Sequence, residues 1–308
     1  MIKINRISKK FDSFYALQDL SLQVNKGEFY SLLGPNGAGK TTCINMISNI
    51  TKPSSGSITI AGFDSLTDSY KIKKIIGVVP QEIALYEDLT AIENLNFWGK
   101  INQVVSSKLS GKIIETLKFL DLYDQRNQKI STYSGGMKRR INIAAALLHD
   151  PEIIFMDEPT VGIDPQSRLF TYEIFQKLHQ QGKTIFYTSH NMDEVERLSD
   201  RIGIIDHGKL IAEGQLKDLK DQMGMDETLV LRLSKTEDAG VVNTQLKISL
   251  PFQILENEVY INSKNTQNDL VHILQQFQNI KVGIQSIEIK KVNLEMIFLK
   301  LTGHKLRE

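Results

Sequence analysis

Residues 34–42 read GPNGAGKTT and fit the pattern G-x-x-x-x-G-K-[ST]. Glycines let the backbone curl so that successive N–H groups face phosphate oxygens. At this spacing we expect Lys40 to reach the β- and γ-phosphates of a nucleotide, and the Thr41 hydroxyl to ligate Mg²⁺. The pattern therefore predicts a site for the phosphates of a nucleoside triphosphate. The residues predicted to form it are Gly34, Asn36, Gly37, Gly39, Lys40, Thr41 and Thr42.

The sequence on either side of this loop favours the same interpretation over a Gly-rich turn that binds no nucleotide. The apolar run at residues 29–33 predicts a short buried strand that ends at the loop. Ile44 and Ile47 stand at helical spacing and predict a helix that opens there. The free N–H groups and the dipole of that helix would favour bound phosphates.

Composition is that of an ordinary globular chain. The 308 residues carry a net charge of +1, with 41% hydrophobic and 24% charged residues, which suggests two domains or one large domain with an appendage. The near-neutral charge gives no electrostatic case for a nucleic-acid partner. The single cysteine, Cys43, allows no intrachain disulfide. The N-terminus lacks a signal-peptide core, and no apolar run approaches the roughly 18 to 20 residues of a membrane span. We expect a cytoplasmic protein; if it acts at a membrane, another chain supplies the span.

Buried strands and helices alternate along the first part of the chain, which predicts a mostly parallel α/β sheet. Such sheets bind ligands at the carboxyl ends of their strands. The stretch 85–150 differs, because it predicts helices at 91–100, 107–120 and 139–148. From about residue 216 the chain predicts a small α+β domain. Its expected elements are helices at 216–225, 268–277 and 294–301 and strands at 228–233, 245–250, 258–262 and 284–289.

Acidic and amide side chains follow the predicted strands. Asp157 and Glu158 come directly after the apolar run 153–156, where Asp157 would hold Mg²⁺ and Glu158 would orient or deprotonate the attacking water. Without the upstream phosphate loop, two solvated carboxylates at a strand end would be the better interpretation. His190 follows the next strand and could donate to the γ-phosphate in the transition state, although a lone histidine there is more often structural. Gln81 has the donor and the acceptor that suit a metal ion or its water.

A second phosphate-suited element begins at Ser134. Ser134 is a plausible N-cap, and Gly135 and Gly136 precede a basic helical segment whose free N–H groups could bind a phosphate. Since the chain already has one phosphate cradle, a second one suggests a nucleotide clamped between two copies of the protein. A plain helix cap is the alternative interpretation.

With these motifs together, residues 1 to about 215 resemble the ATP-binding subunit of ABC transporters. Residues 34–42 resemble its Walker A loop, and Gln81 resembles the Q-loop glutamine. Residues 133–137 resemble the LSGGQ signature, and residues 153–158 resemble Walker B with its catalytic glutamate. Residues 161–164 resemble the D-loop, and His190 resembles the switch histidine. Phe11 falls where the family has an aromatic residue that stacks on adenine, usually Tyr or Trp.

The resemblance implies a P-loop NTPase (RecA-like) nucleotide-binding domain at residues 1–215, with an antiparallel β subdomain and a helical subdomain at about 85–150. Residues 216–308 would then form an accessory domain. The implied cofactors are ATP and Mg²⁺, and the implied activity is ATP hydrolysis coupled to transport. The implied partners are a separate integral membrane permease, with residues 85–105 as candidate contact, and a second ATP-binding subunit. We predict a homodimer, while a pair with a related ATPase also fits. The resemblance places the protein at the inner face of the cell membrane.

Two residues differ from the family's signature motif and indicate a subfamily. Tyr133 and Met137 replace the Leu and Gln of the signature, and neither removes the N–H groups of the two glycines. Together with residues 85–91 and 294–303, they resemble ABC-2 type exporter ATPases. Export is thus expected from resemblance alone, and the cargo would be selected by the permease. The alternatives are a soluble ABC ATPase that serves translation or DNA repair, and a regulatory subunit that binds ATP without hydrolysing it. The single nucleotide domain opposes the first, and the intact Glu158, Gln81 and His190 oppose the second.

Overall fold

The computed structural model describes residues 1–224, 227–290 and 292–302 of the chain. These residues divide into two compact units, with the boundary between Leu216 and Lys217. Each unit is built around its own buried apolar residues. Among the described helices, none is both long and apolar enough to cross a membrane.

A six-stranded sheet forms the centre of the first unit, in the order β10-β9-β3-β8-β7-β6. All neighbours are parallel except β9 and β10, so the predicted mostly parallel α/β sheet is confirmed. Every residue of β3, β7 and β8 is buried, because both faces of the sheet are covered. The six strands are β3 (Phe29–Leu33), β6 (Ile76–Val79), β7 (Ile153–Asp157), β8 (Thr184–Ser189), β9 (Arg201–Asp206) and β10 (Lys209–Gly214).

A second, antiparallel sheet packs beside the first in the order β2-β1-β4-β5. Ile2, Ile4 and Leu22 of this sheet share one apolar cluster with Ile44 of the helix after the phosphate loop and with Leu32 of the central sheet. This shared core ties the antiparallel sheet to the loop. The strands are β1 (Ile2–Phe11), β2 (Phe14–Val24), β4 (Ser55–Ile60) and β5 (Phe63–Asp64).

Helices cover the central sheet, and three of them lie in the stretch 85–150, where the sequence predicts helices. Helix α5 begins at Gly135, four residues before the predicted start, because the Ser134 hydroxyl accepts a hydrogen bond from the Met137 N–H and caps it. Two short helices, α2 and α7, were not expected from the sequence. The helices are α1 (Lys40–Ile47), α2 (Ser69–Lys73), α3 (Ala91–Ile101), α4 (Ser106–Phe119), α5 (Gly135–Leu147), α6 (Pro165–Gln180) and α7 (Met192–Leu198).

The second unit is a four-stranded antiparallel sheet, in the order β12-β13-β11-β14, with helices. Ile273 and Phe277 of one helix pack on Leu229, Leu231 and Ile261 of the sheet. The α+β prediction is therefore confirmed. Its elements are α8 (Leu216–Gln222), β11 (Glu227–Leu233), α9 (Asp238–Gln245), β12 (Phe252–Leu255), β13 (Glu258–Ser263), α10 (Thr266–Asn279), β14 (Ile284–Lys290) and α11 (Leu294–Thr302).

The strand predicted at 245–250 is wrong. Helix α9 ends at Gln245, and residues 246–250 belong to no helix or strand. The alternating apolar residues Leu246 and Ile248 instead pack on the core of the unit without pairing. The sheet position is taken by β12, which forms a tight hairpin with β13 in which Leu255 faces Glu258. Glu256 in that turn has a φ of 55°.

The close approach of β6 to α5 generates a stability prediction. A Cβ on Gly77 would lie 2.4 Å from the backbone oxygen of Ala146 and 2.9 Å from Cγ of Pro151. We expect Gly77→Ala to lower the free energy of unfolding by about 1–3 kcal/mol, as overpacking does. Urea unfolding followed by fluorescence measures this in the first unit, because Trp98 is the only tryptophan of the chain.

Gly111→Ala is the matched control. Gly111 lies inside α4, and a Cβ there meets no atom within 4 Å. Alanine should therefore raise the free energy of unfolding by about 0.5–1 kcal/mol, since it loses less backbone entropy than glycine in a helix. Equal effects of the two substitutions would contradict the packing argument.

Candidate functional site

The register of the parallel strands brings the predicted site residues to one edge of the central sheet. Leu33, the last residue of β3, faces Ser189 at the end of β8, and Asp157 at the end of β7 faces Thr188. The segments that follow these strand ends therefore start side by side. They carry Lys40, Glu158 and His190. Glu158 contacts both of the other two side chains.

The phosphate loop is closed around its own lysine. The buried Lys40 Nζ donates hydrogen bonds to the carbonyl oxygens of Gly34 at 2.8 Å and Pro35 at 2.9 Å. Gly39 has a φ of 106°, and a Cβ there would lie 2.5 Å from the backbone oxygen of Ala16. Only glycine fits this position, because a side chain would be strained and would collide with β2. Helix α1 starts at Lys40, so its N-terminus opens at the loop.

Glu158 links the phosphate loop to the end of β8. Its Oε1 lies 2.9 Å from Lys40 Nζ, and its Oε2 lies 2.9 Å from His190 Nδ1. Its backbone has a φ of 42°, a left-handed conformation that non-glycine residues rarely adopt. The N–H of Glu158 donates to the carbonyl oxygen of Thr188 at 3.2 Å and to the Thr188 hydroxyl at 3.1 Å. These bonds hold the strained residue in place, as is common at functional sites.

Asp157 is a buried carboxylate beside the first turn of α1. The Thr188 hydroxyl donates to its Oδ1 at 2.7 Å. Burial raises the pKa of Asp157, and hydrogen bonds from the hydroxyls of Thr188 and Thr41 lower it in part. Magnesium in nucleotide enzymes is commonly held by one or two carboxylates together with substrate phosphates, so one carboxylate beside the Thr41 hydroxyl fits that ion. The structure contains no group of three or more His, Cys, Asp or Glu among its described residues that could hold a metal ion.

A cavity of about 470 Å³ opens in front of the phosphate loop. Phe11 lines it, as does Phe14, which the sequence analysis missed. Both rings are solvent-accessible, with exposed fractions of 50% for Phe11 and 64% for Phe14. The two residues face each other across the β1–β2 hairpin, and its two-residue turn between strand-like runs was the signal that could have found Phe14. The other lining residues are Ala16, Asn36, Gly37, Gly39, Lys40, Thr41, Thr42, Gln81 and Glu158.

Gln81 is placed by a residue that the sequence analysis did not select. Arg139, buried on α5, donates from Nη2 to the Gln81 carbonyl oxygen at 2.7 Å and from Nη1 to the Pro80 carbonyl oxygen at 2.9 Å. The Gln81 side chain itself is exposed at the cavity. Burial lowers the pKa of Arg139, which still donates both bonds. The helix that begins at Gly135 is thereby attached to the segment that carries Gln81.

The second phosphate-suited element lies apart from the cavity. Ser134 caps α5, and both Ser134 and Gly135 are exposed. Gly136 is buried against α6, since a Cβ there would lie 2.2 Å from the Ser167 hydroxyl. Among the residues that the structure describes, the cavity lining includes none of these three. One chain therefore brings together the phosphate loop, Gln81, Asp157, Glu158 and His190, and leaves Ser134 and Gly135 exposed outside the cavity.

Comparison with known proteins decides the family. The ABC transporter family profile matches residues 17–161. The linearmycin resistance ATP-binding protein LnrL of Bacillus subtilis (strain 168) is 42% identical, over 100% of both chains. This chain belongs to the ABC transporter ATP-binding family. The daunorubicin/doxorubicin resistance ATP-binding protein DrrA of Streptomyces peucetius is 32% identical, over 98% of this chain and 92% of DrrA.

Solved ABC cassettes share the fold of the first unit. A dimeric ATP-binding cassette in a post-hydrolysis state, bound to ADP and Pi, is 30% identical with a TM-score of 0.64. It covers 70% of this chain and 99% of its own. The resemblance seen in the sequence and the predicted fold class are confirmed. As an ABC transporter ATP-binding subunit, the protein binds ATP with Mg²⁺ and hydrolyses it.

The buried Asp157 yields a prediction about stability without nucleotide. The pKa of Asp157 is higher in the folded protein than in the unfolded chain. The folded protein therefore loses stability as pH rises from the ordinary aspartate pKa through the raised one, because the carboxylate ionises less readily when it is buried. We expect Asp157→Asn to raise the melting temperature at neutral pH, because the amide keeps an oxygen for Thr188 and carries no charge. The gain should shrink as pH falls towards the ordinary aspartate pKa, where wild type is neutral too. Melting followed by tryptophan fluorescence at several pH values measures the difference.

Asp150→Asn is the control of opposite sign. A hydrogen bond from Lys183 Nζ, at 2.6 Å from Asp150 Oδ1, lowers the pKa of Asp150. Ionised Asp150 therefore adds stability above its ordinary pKa, so its replacement should not stabilise the protein at neutral pH. A lower melting temperature for Asp157→Asn at pH 7 would contradict the assigned cost of burial.

Proposed function

We propose that the site residues divide the work of ATP hydrolysis as the geometry around Glu158 suggests, and that this work drives a membrane exporter. The observation that carries the proposal is the contact of Glu158 with both Lys40 and His190 at the carboxyl ends of parallel strands. Lys40 binds the β- and γ-phosphates, and Thr41, Asp157 and the side chain of Gln81 hold Mg²⁺ or its water.

Glu158 is the general base in this proposal, and His190 donates to the γ-phosphate in the transition state. Without nucleotide, the Glu158 carboxylate pairs with Lys40. An incoming γ-phosphate takes Lys40 as its own counterion and leaves Glu158 free to accept a proton from water. Mg²⁺, when bound, supplies charge stabilisation on the transferred phosphoryl group. Phe11 and Phe14 line the cavity and in this proposal stack on the base.

Two copies complete each site in this proposal. Ser134 and Gly135 are exposed in one chain, and with the buried Gly136 they form the capped N-terminus of α5, which suits a phosphate. We place them on the γ-phosphate of the ATP held by the partner copy. A ligand that touches both subunits stabilises the closed dimer over the open one, which is a shift in population. Hydrolysis removes that bridging contact and lets the dimer open.

We assign the chain to two domains. Residues 1–215 are the ATP-binding domain, with the helical part at about 85–150, and residues 216–308 are an accessory domain. Relatives with drug-resistance and Nod factor export names align along nearly the whole chain, accessory part included. This supports a subunit of an exporter, working at the cytoplasmic face of a membrane with a separate permease chain.

A groove between α3 and the central sheet is the proposed contact with the permease. It encloses about 560 Å³ and is mainly apolar. Pro80 lines it next to Gln81, so a segment seated in the groove adjoins the nucleotide site. We propose that it receives an apolar cytoplasmic segment of the permease. Its lining includes Tyr70, Trp98, Ile101, Asn142, Ala145 and His149.

Substitution of the general base tests the catalytic assignment. Glu158→Gln should hydrolyse ATP at least about 10²-fold more slowly, the usual loss when a general base is removed. It should still bind ATP, since the amide removes the carboxylate that pairs with Lys40 and leaves the phosphate loop intact. Sedimentation with Mg-ATP should show a dimer that persists, because the bridging γ-phosphate is not lost. ATPase rates and sedimentation of the purified protein measure both effects.

Lys40→Ala is the contrasting variant. It should lose ATP affinity itself, and with it the ATP-dependent dimer. Near wild-type turnover in Glu158→Gln would refute the role of Glu158 as base. Unchanged nucleotide affinity in Lys40→Ala would refute its phosphate role.

A substitution that introduces a charge into the α3 groove tests the proposed contact with the permease. Ile101 is exposed on α3 and lines the groove, so Ile101→Glu should place a charge against an apolar partner segment. We expect loss of permease from co-purification and loss of transport, with the ATPase rate of the isolated subunit unchanged. Ile114→Glu on α4 is the control, because Ile114 is also exposed and lies outside the groove lining. Equal permease recovery with both variants would place the contact elsewhere.

A further inference from the structure

One buried carboxylate near the site has no part in the roles assigned above. Glu194 lies in the first turn of α7 and is 3% exposed. It accepts hydrogen bonds from four hydroxyl groups, and Arg168 Nε lies 3.9 Å from its Oε1. The donors are Thr160 at 2.8 and 2.9 Å, Tyr172 at 2.8 Å, Tyr187 at 2.7 Å and Ser189 at 3.0 Å.

These hydroxyls come from the segments that carry the hydrolytic residues. Thr160 is two residues after Glu158, and Ser189 directly precedes His190. Tyr187 belongs to β8 and Tyr172 to α6, so two fixed elements hold the carboxylate from the other sides. The Ser189 hydroxyl also accepts a hydrogen bond from the N–H of Asn191 at 2.9 Å. Glu194 thus ties the chain after β7 to the chain after β8.

The hydroxyl groups around Glu194 match the hydrogen-bonding capacity of a carboxylate. A carboxylate only accepts hydrogen bonds and has about four lone-pair positions, which four hydroxyl donors fill. Burial raises the pKa of Tyr172 and of Tyr187, and the charge of Glu194 raises both further, so the two tyrosines stay protonated donors. A buried charge is tolerated only when it is hydrogen-bonded in this way.

We infer that Glu194 is a positioning residue that fixes the separation of Glu158 and His190 during hydrolysis. The inference rests on the roles proposed for those two residues. Glu194 touches neither the phosphate loop nor the cavity lining among the described residues. Replacement of Glu194 should therefore slow the chemical step and leave the affinity for ATP unchanged. A displacement of about 1 Å in a catalytic group can cost as much as 10²-fold in rate.

Glu194→Gln is the test variant. Glutamine keeps the shape but offers one acceptor oxygen and turns an NH₂ group towards hydroxyls that were donors. Part of the cluster must then rearrange, which loosens the tie between the two segments. We expect kcat to fall about 10-fold to 10²-fold, with the Kd for ATP within about twofold of wild type. Single-turnover hydrolysis and fluorescent-nucleotide titration give the two constants separately.

Glu28→Gln is the matched control for loss of a buried carboxylate. Glu28 is 7% exposed, accepts from Arg201 Nη1 at 2.9 Å, and precedes β3 at the opposite end of the strand from the phosphate loop. It should lower the melting temperature without changing kcat. If Glu194→Gln likewise lowers only the melting temperature, Glu194 is structural and the inference is overturned.

A double substitution distinguishes a role of Glu194 in positioning His190 from a general loss of rigidity in the protein. If Glu194 acts through His190, Glu194→Gln should cost less in a His190→Ala background than in wild type, because residues acting as one unit are not additive. The same fold loss in both backgrounds would overturn the inference. If His190→Ala alone keeps the wild-type kcat, the proposed role of His190 fails and the inference falls with it. If His190→Ala is slow while Glu194→Gln is not, only the inference fails.

Discussion

The parallel pairing of β3, β8 and β7 is the constraint on which the site depends. It places Leu33 beside Ser189 and Asp157 beside Thr188, so three separate loops leave the sheet at one edge. Parallel strands need long crossover connections, and those connections here are the helices that cover the sheet. The site therefore assembles from residues far apart in the chain, each of which lies at the end of a strand or in the segment that follows it. Slipping one strand by one residue would move every side chain to the other face of the sheet.

Much of this arrangement could be predicted from the sequence, because buried strands leave continuous apolar runs and the phosphate loop has a fixed spacing. The runs before Gly34 and up to Asp157 gave the strands and the edge at which ligands bind. The hydrogen-bond partners of Arg139 and Glu194 could not be predicted, because they are set by tertiary packing. No local sequence pattern around either residue indicates them. The prediction of a strand at 245–250 failed for a related reason. Alternation of apolar residues indicates which side chains are buried, but it does not tell which segment pairs with the sheet, and here β12 pairs with β13.

Charge is concentrated inside the first unit near the strand ends. Asp157, Glu158 and Lys40 are buried there, and burial of charge opposes folding unless partners offset it. Lys40 pairs with Glu158 and donates to carbonyl oxygens of the phosphate loop, and Asp157 accepts a hydrogen bond from the Thr188 hydroxyl of β8. These polar groups thus have partners within the protein, and in the proposed mechanism the γ-phosphate replaces Glu158 as the partner of Lys40. Such an exchange keeps the groups in position before the substrate arrives, which is the basis of preorganised catalysis.

The contact of Gly39 with β2 has a consequence for which nucleotides the site accepts. Gly39, directly before Lys40, lies against the backbone of Ala16, so the phosphate loop packs on the strand that follows Phe14 in the β1–β2 hairpin. In the proposed mechanism, Phe11 and Phe14 contact the base of the nucleotide and Lys40 contacts its terminal phosphates, so both ends of the molecule are bound by elements that pack on each other. Aromatic faces stack on any base, since every base has a π-face. Under the proposed roles, the site therefore distinguishes nucleotides by their number of phosphates more strictly than by their base.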